Sequence, residues 1–110
     1  MCPSDPLSFN ELGVVYFRQG HFAKAAEHFG KVLELTGHLP PAKREAWESC
    51  YFNLGHARRK LRDFDGAIDA YEAALALRPN DASTYAALGF AWHLKGGFEQ
   101  AIEYVCPRSL

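Results

Sequence analysis

Tyr51-Phe52-Asn53-Leu54-Gly55-His56-Ala57, followed by Phe64, Ala67 and Tyr71, is the stretch that decides the fold, because its wording occurs twice more. Leu12-Gly13 and Leu88-Gly89 repeat its Leu-Gly, with Phe9 and Tyr85 three residues ahead of the Leu as Tyr51 is here. Nine residues after each Gly stands Phe22, Phe64 or Phe98, and twelve after it Ala25, Ala67 or Ala101. Four residues beyond the Ala come Phe29, Tyr71 and Val105. The second and third Gly are 34 residues apart and the first and second 42, so one unit is used three times with an insertion after the first. Such self-similarity outranks any local reading of the chain.

Aromatic, Leu and aromatic at steps of three and four make one stripe of a helix. The Gly beside that stripe clears space for a close neighbour, and the Ala of the following helix does the same from the other side. Gly55 and Ala67 are accordingly expected to face each other. A two-helix hairpin of this kind cannot bury its apolar faces alone, so copies stack. The residues assigned to this packing are Leu12, Gly13, Ala25, Leu54, Gly55, Ala67, Leu88, Gly89 and Ala101.

Composition agrees. The 110 residues include 16 Ala and 12 Leu against 4 Val, 2 Ile and 2 Thr, a helix-forming balance with little strand preference. Hydrophobic residues at 48% are enough for a core and exclude general disorder. A net charge of −1 argues against nucleic acid or an anionic membrane as partner. No apolar run approaches the roughly 20 residues of a membrane span, and Met-Cys-Pro-Ser-Asp-Pro lacks the features of a signal peptide.

Asp5-Pro6 is a cap followed by a proline suited to the first helical position. Gly20 and Gly96-Gly97 fall where first helices end. Asp63 and Asp81 are further caps, and Pro79 sits between units. The expected helices are 7–19, 22–36, 42–61, 64–77, 82–95 and 98–105, with much of the insertion lengthening helices around Lys43-Arg44-Glu45-Ala46-Trp47. The chain divides into repeat one (6–37), an insertion (38–47), repeat two (48–81), a partial repeat three (82–106) and a divergent tail (107–110), all in one array over 1–110.

This spacing resembles that of the tetratricopeptide repeat. The resemblance implies an all-α, right-handed superhelix of about three helix-turn-helix repeats, the third incomplete. Glu11-Leu12-Gly13-Val14-Val15-Tyr16-Phe17, Trp47-Glu48, Asn53-Leu54-Gly55-His56-Ala57-Arg58-Arg59-Lys60-Leu61 and Ala82-Ser83-Thr84-Tyr85 further resemble the cell-division-cycle proteins that form the sixth subunit of the anaphase-promoting complex, in their C-terminal region. The insertion before Trp47 is similar too. The resemblance implies a non-catalytic scaffold in a ubiquitin ligase acting in mitosis, in nucleus and cytoplasm. The implied partners are other repeat subunits and a small stabilising subunit whose N-terminal segment lies in the groove, and homo-association is possible. Full members of that family are several times longer, and the wording departs from theirs at Val105-Cys106-Pro107-Arg108-Ser109-Leu110, which implies a fragment or truncated form.

No nucleophile elbow, phosphate loop or His-Glu-x-x-His occurs, so no enzyme and no cofactor are expected. Cys2, Cys50 and Cys106 are far apart, and the five His include no i, i+4 pair, so reduced thiols and no metal are expected. Arg58-Arg59-Lys60-Leu61-Arg62 closes a first helix, where cations complement the dipole.

Binding, if any, belongs to a second stripe along the first helices: Asn10, Val14 and Phe17, then Phe52, His56 and Arg59, then Phe90 and His93. In this fold that stripe lines the concave face. The three Phe are either peptide anchors or packing between repeats. The alternative function is a generic repeat adaptor, a co-chaperone or assembly factor. The carboxylate clamp of chaperone adaptors uses Lys then Asn, then Asn, then Lys and Arg, at the positions held here by Asn10, Val14, Asn53, Ser83 and Ala87; only Asn53 matches and every cation is absent.

Overall fold

The computed structural model describes residues 5–105. Each of the three sequence units is an antiparallel pair: α1 (Pro6–Arg18) with α2 (Phe22–Thr36), α4 (Glu48–Lys60) with α5 (Phe64–Leu77), and α6 (Ala82–Lys95) with α7 (Phe98–Val105). A short α3 (Pro41–Arg44) and a 3-10 turn (Glu45–Trp47) lie between the first two pairs. The pairs stack because the first helix of each lies on the second helix of the one before, α4 on α2 and α6 on α5. The all-α architecture expected from the repeat is therefore present, in a body of 51 × 31 × 18 Å.

The caps work as the sequence suggests. Asp5 accepts from the Leu7 amide at 3.2 Å, Asp63 from Gly66 at 3.0 Å and Asp81 from Ser83 at 3.1 Å. Each satisfies an amide that the helix itself leaves unpaired.

Each first helix ends in the same way. The Gly20 amide donates to the Phe17 carbonyl at 3.0 Å and His21 to Tyr16 at 2.9 Å, with Gly20 at φ 85°. Gly96 at φ 101° and Gly97 repeat the pattern, with Gly97 donating to the Trp92 carbonyl at 2.8 Å. At the equivalent place in the second pair stands Arg62, at φ 66°, between Arg62 N–H to Arg59 and Asp63 N–H to Arg58, both 2.9 Å. The repeat holds a non-glycine residue in the left-handed region there, against its own preference.

Two expectations are corrected. The helix predicted over 42–61 is broken: Trp47, at φ −102° and ψ 12°, leaves helical geometry, and its ring packs on the first core cluster. The extra residues form a connection, and α4 keeps 13 residues, the same as α1. Second, Gly55 meets Tyr71 more closely than Ala67. A Cβ at Gly55 would fall into the fully buried Tyr71 ring, and one at Gly13 would stand 2.6 Å from Phe29 Cε1. The glycine opens room for the aromatic four residues beyond the Ala.

Two clusters make the core. Ala25, Phe29, Val32, Cys50, Leu54, Ala57 and Ala70 seal α2 to the second pair, and Ala67, Ile68, Tyr71, Leu88 and Ala91 seal α5 to α6. Cys50 is buried and free; burial pushes its thiol up to about 12, so it packs as an inert small hydrophobe. Cys2, Cys106, Pro107 and the tail 107–110 lie outside the described residues.

Candidate groove on the first helices

The groove is built around repeat two. His56, one turn from Phe52 on α4, is hydrogen-bonded to the hydroxyl of Tyr71 from α5, with 2.7 Å between Nδ1 and the oxygen. Arg59 Nε donates to the same oxygen at 3.5 Å. A cation can only donate, so the Tyr71 oxygen accepts from Arg59 while sharing its second hydrogen bond with His56 Nδ1. Burial, then the charges of Arg59 and Lys60, pull the His56 pKa down from 6.5 to about 4. Burial also holds the Tyr71 hydroxyl above its ordinary value, opposed by the Arg59 hydrogen bond and charge.

Aromatic rings enclose this triad. Phe52 stands edge-on to His56 with centroids 4.3 Å apart and lies 5.7 Å from Tyr71, while Phe17 of α1 approaches His56 at 6.4 Å. The Arg59 guanidinium lies 5.1 Å above the Phe90 ring of α6, so one side chain ties repeat two to repeat three.

The stripe expected on the concave face is thus brought together in its middle, though its members differ. Phe17 and Phe52 are half-buried against the two core clusters, and Phe17 also stacks on Phe22 at 5.2 Å. They serve packing between repeats. Phe90 keeps 49% of its surface open. His93 is exposed and rests on Phe98 at 5.3 Å. Val14, Phe17, Arg18, Phe29 and Asn53 line a depression of about 390 Å³, and Asn10 Oδ1 is buried without a hydrogen-bond partner. A larger apolar hollow of about 490 Å³ opens beside Phe90, walled by Gly89, His93, Phe98, Ala101 and Ile102.

Of the residues assigned to repeat packing, Gly13, Ala25, Leu54, Gly55, Ala67, Leu88, Gly89 and Ala101 are buried. Leu12 is 39% exposed, on the side of α1 where no earlier pair lies among the described residues. Periodicity places Tyr71 in the repeat but misses its hydroxyl as a part of the groove. Its position reads Phe29 in the first repeat and Val105 in the third, so the signal was a hydroxyl at an otherwise apolar place.

The basic run is occupied within the fold. Arg58 donates to the Gly66 carbonyl at 3.1 Å, Arg59 holds Tyr71, Lys60 lies 6.0 Å over Phe22 and Arg62 5.8 Å over Phe64. Among the described residues no group of His, Cys, Asp or Glu is arranged to hold a metal ion, and no helix is long and apolar enough to cross a membrane.

Comparison with known proteins bears on this geometry. Residues 6–39 match a family model described as Tetratricopeptide repeat, and residues 55–96 one described as TPR repeat. Anaphase-promoting complex subunit 6 of Arabidopsis thaliana is 47% identical over 98 residues, which are 89% of this chain and 18% of that protein. Cell division cycle protein 16 homolog of Homo sapiens is 38% identical over 105 residues, 94% of this chain and 17% of its own length. The crystal structure of the APC/C hetero-tetramer Cut9-Hcn1 superposes with a TM-score of 0.85 at 34% identity, over 98% of this chain and 22% of that one. The chain spans less than a fifth of the length of these two curated relatives. A structure of MamA, 22% identical with a TM-score of 0.80, shares the fold alone.

Proposed function

The chain belongs to the tetratricopeptide-repeat family, and from that premise we propose that it is a non-catalytic scaffold segment of a cyclosome-type ubiquitin ligase subunit acting in mitosis. The observation that carries this reading is likeness beyond the generic repeat: 47% identity to an anaphase-promoting complex subunit continues over 98 residues, across two repeats and the connection between them. Its 1–110 array, with repeats at 6–37, 48–81 and 82–106 around the insertion 38–47, holds other repeat subunits and a small stabilising subunit, in nucleus and cytoplasm. The groove of Asn10, Val14, Phe17, Phe52, His56, Arg59, Phe90 and His93 receives a peptide segment. Phe90 is its open anchor, and Arg59 and His93 are its polar contacts.

The test is affinity purification of the tagged chain from dividing cells, with mass spectrometry of what it retains. Subunits of the ligase are the expected catch. Chaperones or trafficking proteins in their place would favour the generic adaptor and sink the proposal.

A further inference from the structure

The turn that closes each first helix occurs three times at matched positions, and the middle copy departs from the other two. Seven residues after each repeat glycine, Gly13, Gly55 and Gly89, stand Gly20, Arg62 and Gly96, and one place earlier Gln19, Leu61 and Lys95. Gly20 and Gly96 take the left-handed backbone of the turn at φ 85° and 101°, whereas Arg62 takes it at 66° with a side chain attached. Leu61 is 44% exposed where the other turns carry Gln and Lys, and it belongs to neither core cluster. Both departures work against folding, since backbone strain and open apolar surface each cost stability. Repeat two has a repeat packed on either side, so its turn is a surface that stacking leaves open.

Positive charge gathers at the same place. The three turns lie in one row, because Lys60 reaches over Phe22 of the first pair and Lys95 of the third pairs with Asp65 of the second. Residues 16–25, 58–67 and 92–101, the turns with their flanking helix ends, hold seven Lys and Arg against three Asp and Glu, a net +4. The remainder of the chain is then −5, a division that the total of −1 conceals. Each turn joins a helix C-terminus to an N-terminus, so the helix dipoles offset each other and the side chains set the sign. Among the described residues, Lys95 is the one of these seven cations in an ion pair. Lys24 lies over Tyr16, Lys60 over Phe22 and Arg62 over Phe64, while Arg58 rests on the Gly66 carbonyl. Rings and a carbonyl hold these cations in place without cancelling their charge. Asp63, beside Arg62, caps α5 through the Gly66 amide.

We infer that the turn between α4 and α5 is a docking point for a segment of a partner protein in which acidic residues flank an apolar one. Leu61 takes the apolar side chain, Lys60 and Arg62 on either side of it take the carboxylates, and Lys24 extends the positive row toward repeat one. A protein segment fits better than nucleic acid on two counts. Leu61 offers nothing to a phosphate backbone, and a nucleic acid carries its dense charge beyond the row and against the acidic remainder of the chain. The site is separate from the groove of the proposed function, into which Arg59 turns toward Tyr71 and Phe90.

Fluorescence anisotropy of a short labelled peptide in which Leu alternates with pairs of Glu, titrated with the purified chain, tests this. Binding is expected with a Kd of about 10–100 μM in low salt, weakening severalfold by about 0.2 M. Leu61→Gln with Arg62→Gly rewrites the turn as repeat one has it, and is expected to raise the melting temperature while weakening binding by about tenfold or more. Arg62→Lys keeps the charge and should hold the affinity within about twofold. Lys60→Glu with Arg62→Glu should abolish binding. Lys31→Glu with Lys43→Glu makes an equal change of net charge at exposed lysines away from the turn, and should leave the affinity within about threefold. Circular dichroism checks that every variant keeps its helices. The proposal is overturned by a wild-type chain that ignores the peptide, by a peptide with Gln for Glu that binds as well, or by an oligothymidylate that binds more tightly. A rewritten turn that keeps its affinity, or that melts below the wild type, overturns it too.

Discussion

Gly55→Ala against Gly30→Ala separates two effects that a single glycine substitution usually confounds. Both glycines lie in helix interiors, where alanine is favoured by about 0.8–1 kcal/mol. At Gly30 in α2 an added Cβ meets nothing within 4 Å, so the helical gain is uncompensated and the variant is stabilised by that amount. At Gly55 the Cβ falls into the Tyr71 ring, which is fully buried and cannot swing clear. Overpacking of this kind costs about 1–3 kcal/mol, and a rigid buried ring puts it at the upper end.

A second loss comes with the first, because the Tyr71 hydroxyl is held by His56 and Arg59. Displacing the ring by several tenths of an ångström stretches both bonds, one of them worth about 1 kcal/mol. Set against the helical gain, the balance at Gly55 is a destabilisation of about 2–3 kcal/mol, which at about 4–8 °C per kcal/mol lowers the melting temperature by about 8–24 °C. Thermal melts followed at 222 nm, with urea unfolding as the second measure, read both variants. If Gly55→Ala melts at or above the wild type, as Gly30→Ala should, the glycine does not serve to admit the ring and the repeat register is wrong.

Ala67→Leu, at a fully buried position, is expected to lose about 1–3 kcal/mol, while Ala82→Leu at an exposed one should stay within about 0.5 kcal/mol; urea midpoints compare them directly. Arg62→Gly relieves a side chain held at φ 66° and is expected to stabilise by about 0.5–1 kcal/mol, less than the full left-handed penalty because glycine is freer when unfolded and the contact over Phe64 is lost. His56 titrates near 4 folded and 6.5 unfolded, so the unfolded chain takes up a proton that the folded one refuses. Its contribution is complete above pH 6.5 and is lost as pH falls toward 4, by about 1–2 kcal/mol once solvent screening of a partly exposed ring is allowed for. His56→Gln should flatten that slope, and an unchanged pH profile would show that the ring is already charged or freely hydrated. For the proposed groove, Phe90→Ala is expected to weaken binding of the retained peptide by about 2 kcal/mol, roughly 30-fold; titration calorimetry with the captured segment measures it.

Most of the fold is legible in the sequence because its determinants are local or periodic. Asp5, Asp63 and Asp81 cap through their own side chains, and Gly20 and Gly96 hold positive φ because glycine does so at little cost. Arg62 was not legible as a helix terminator, since its φ is imposed by the turn and by Asp63 beyond it rather than by its own preference. The break at Trp47 was equally hidden. Lys43-Arg44-Glu45-Ala46 reads as good helix, and the ring's burial against the first cluster decides otherwise.

The groove was harder to read because repeat position does not determine burial on its own. Leu12, Leu54 and Leu88 occupy one position and hold the same side chain, yet the first is 39% exposed and the others at most 1%. What differs is the hairpin behind them: α2 lies behind Leu54 and α5 behind Leu88. The same holds on the far side, where Phe17 is covered by its neighbours in repeat two and Phe90 is left half open. A stripe of aromatics read from one sequence therefore mixes rings that bind the array to itself with rings free to bind something else. Sorting them requires knowing which joints are filled. In a stacked array stability resides in those joints as much as in the hairpins, so the joints that are filled also decide which aromatics remain available to a ligand.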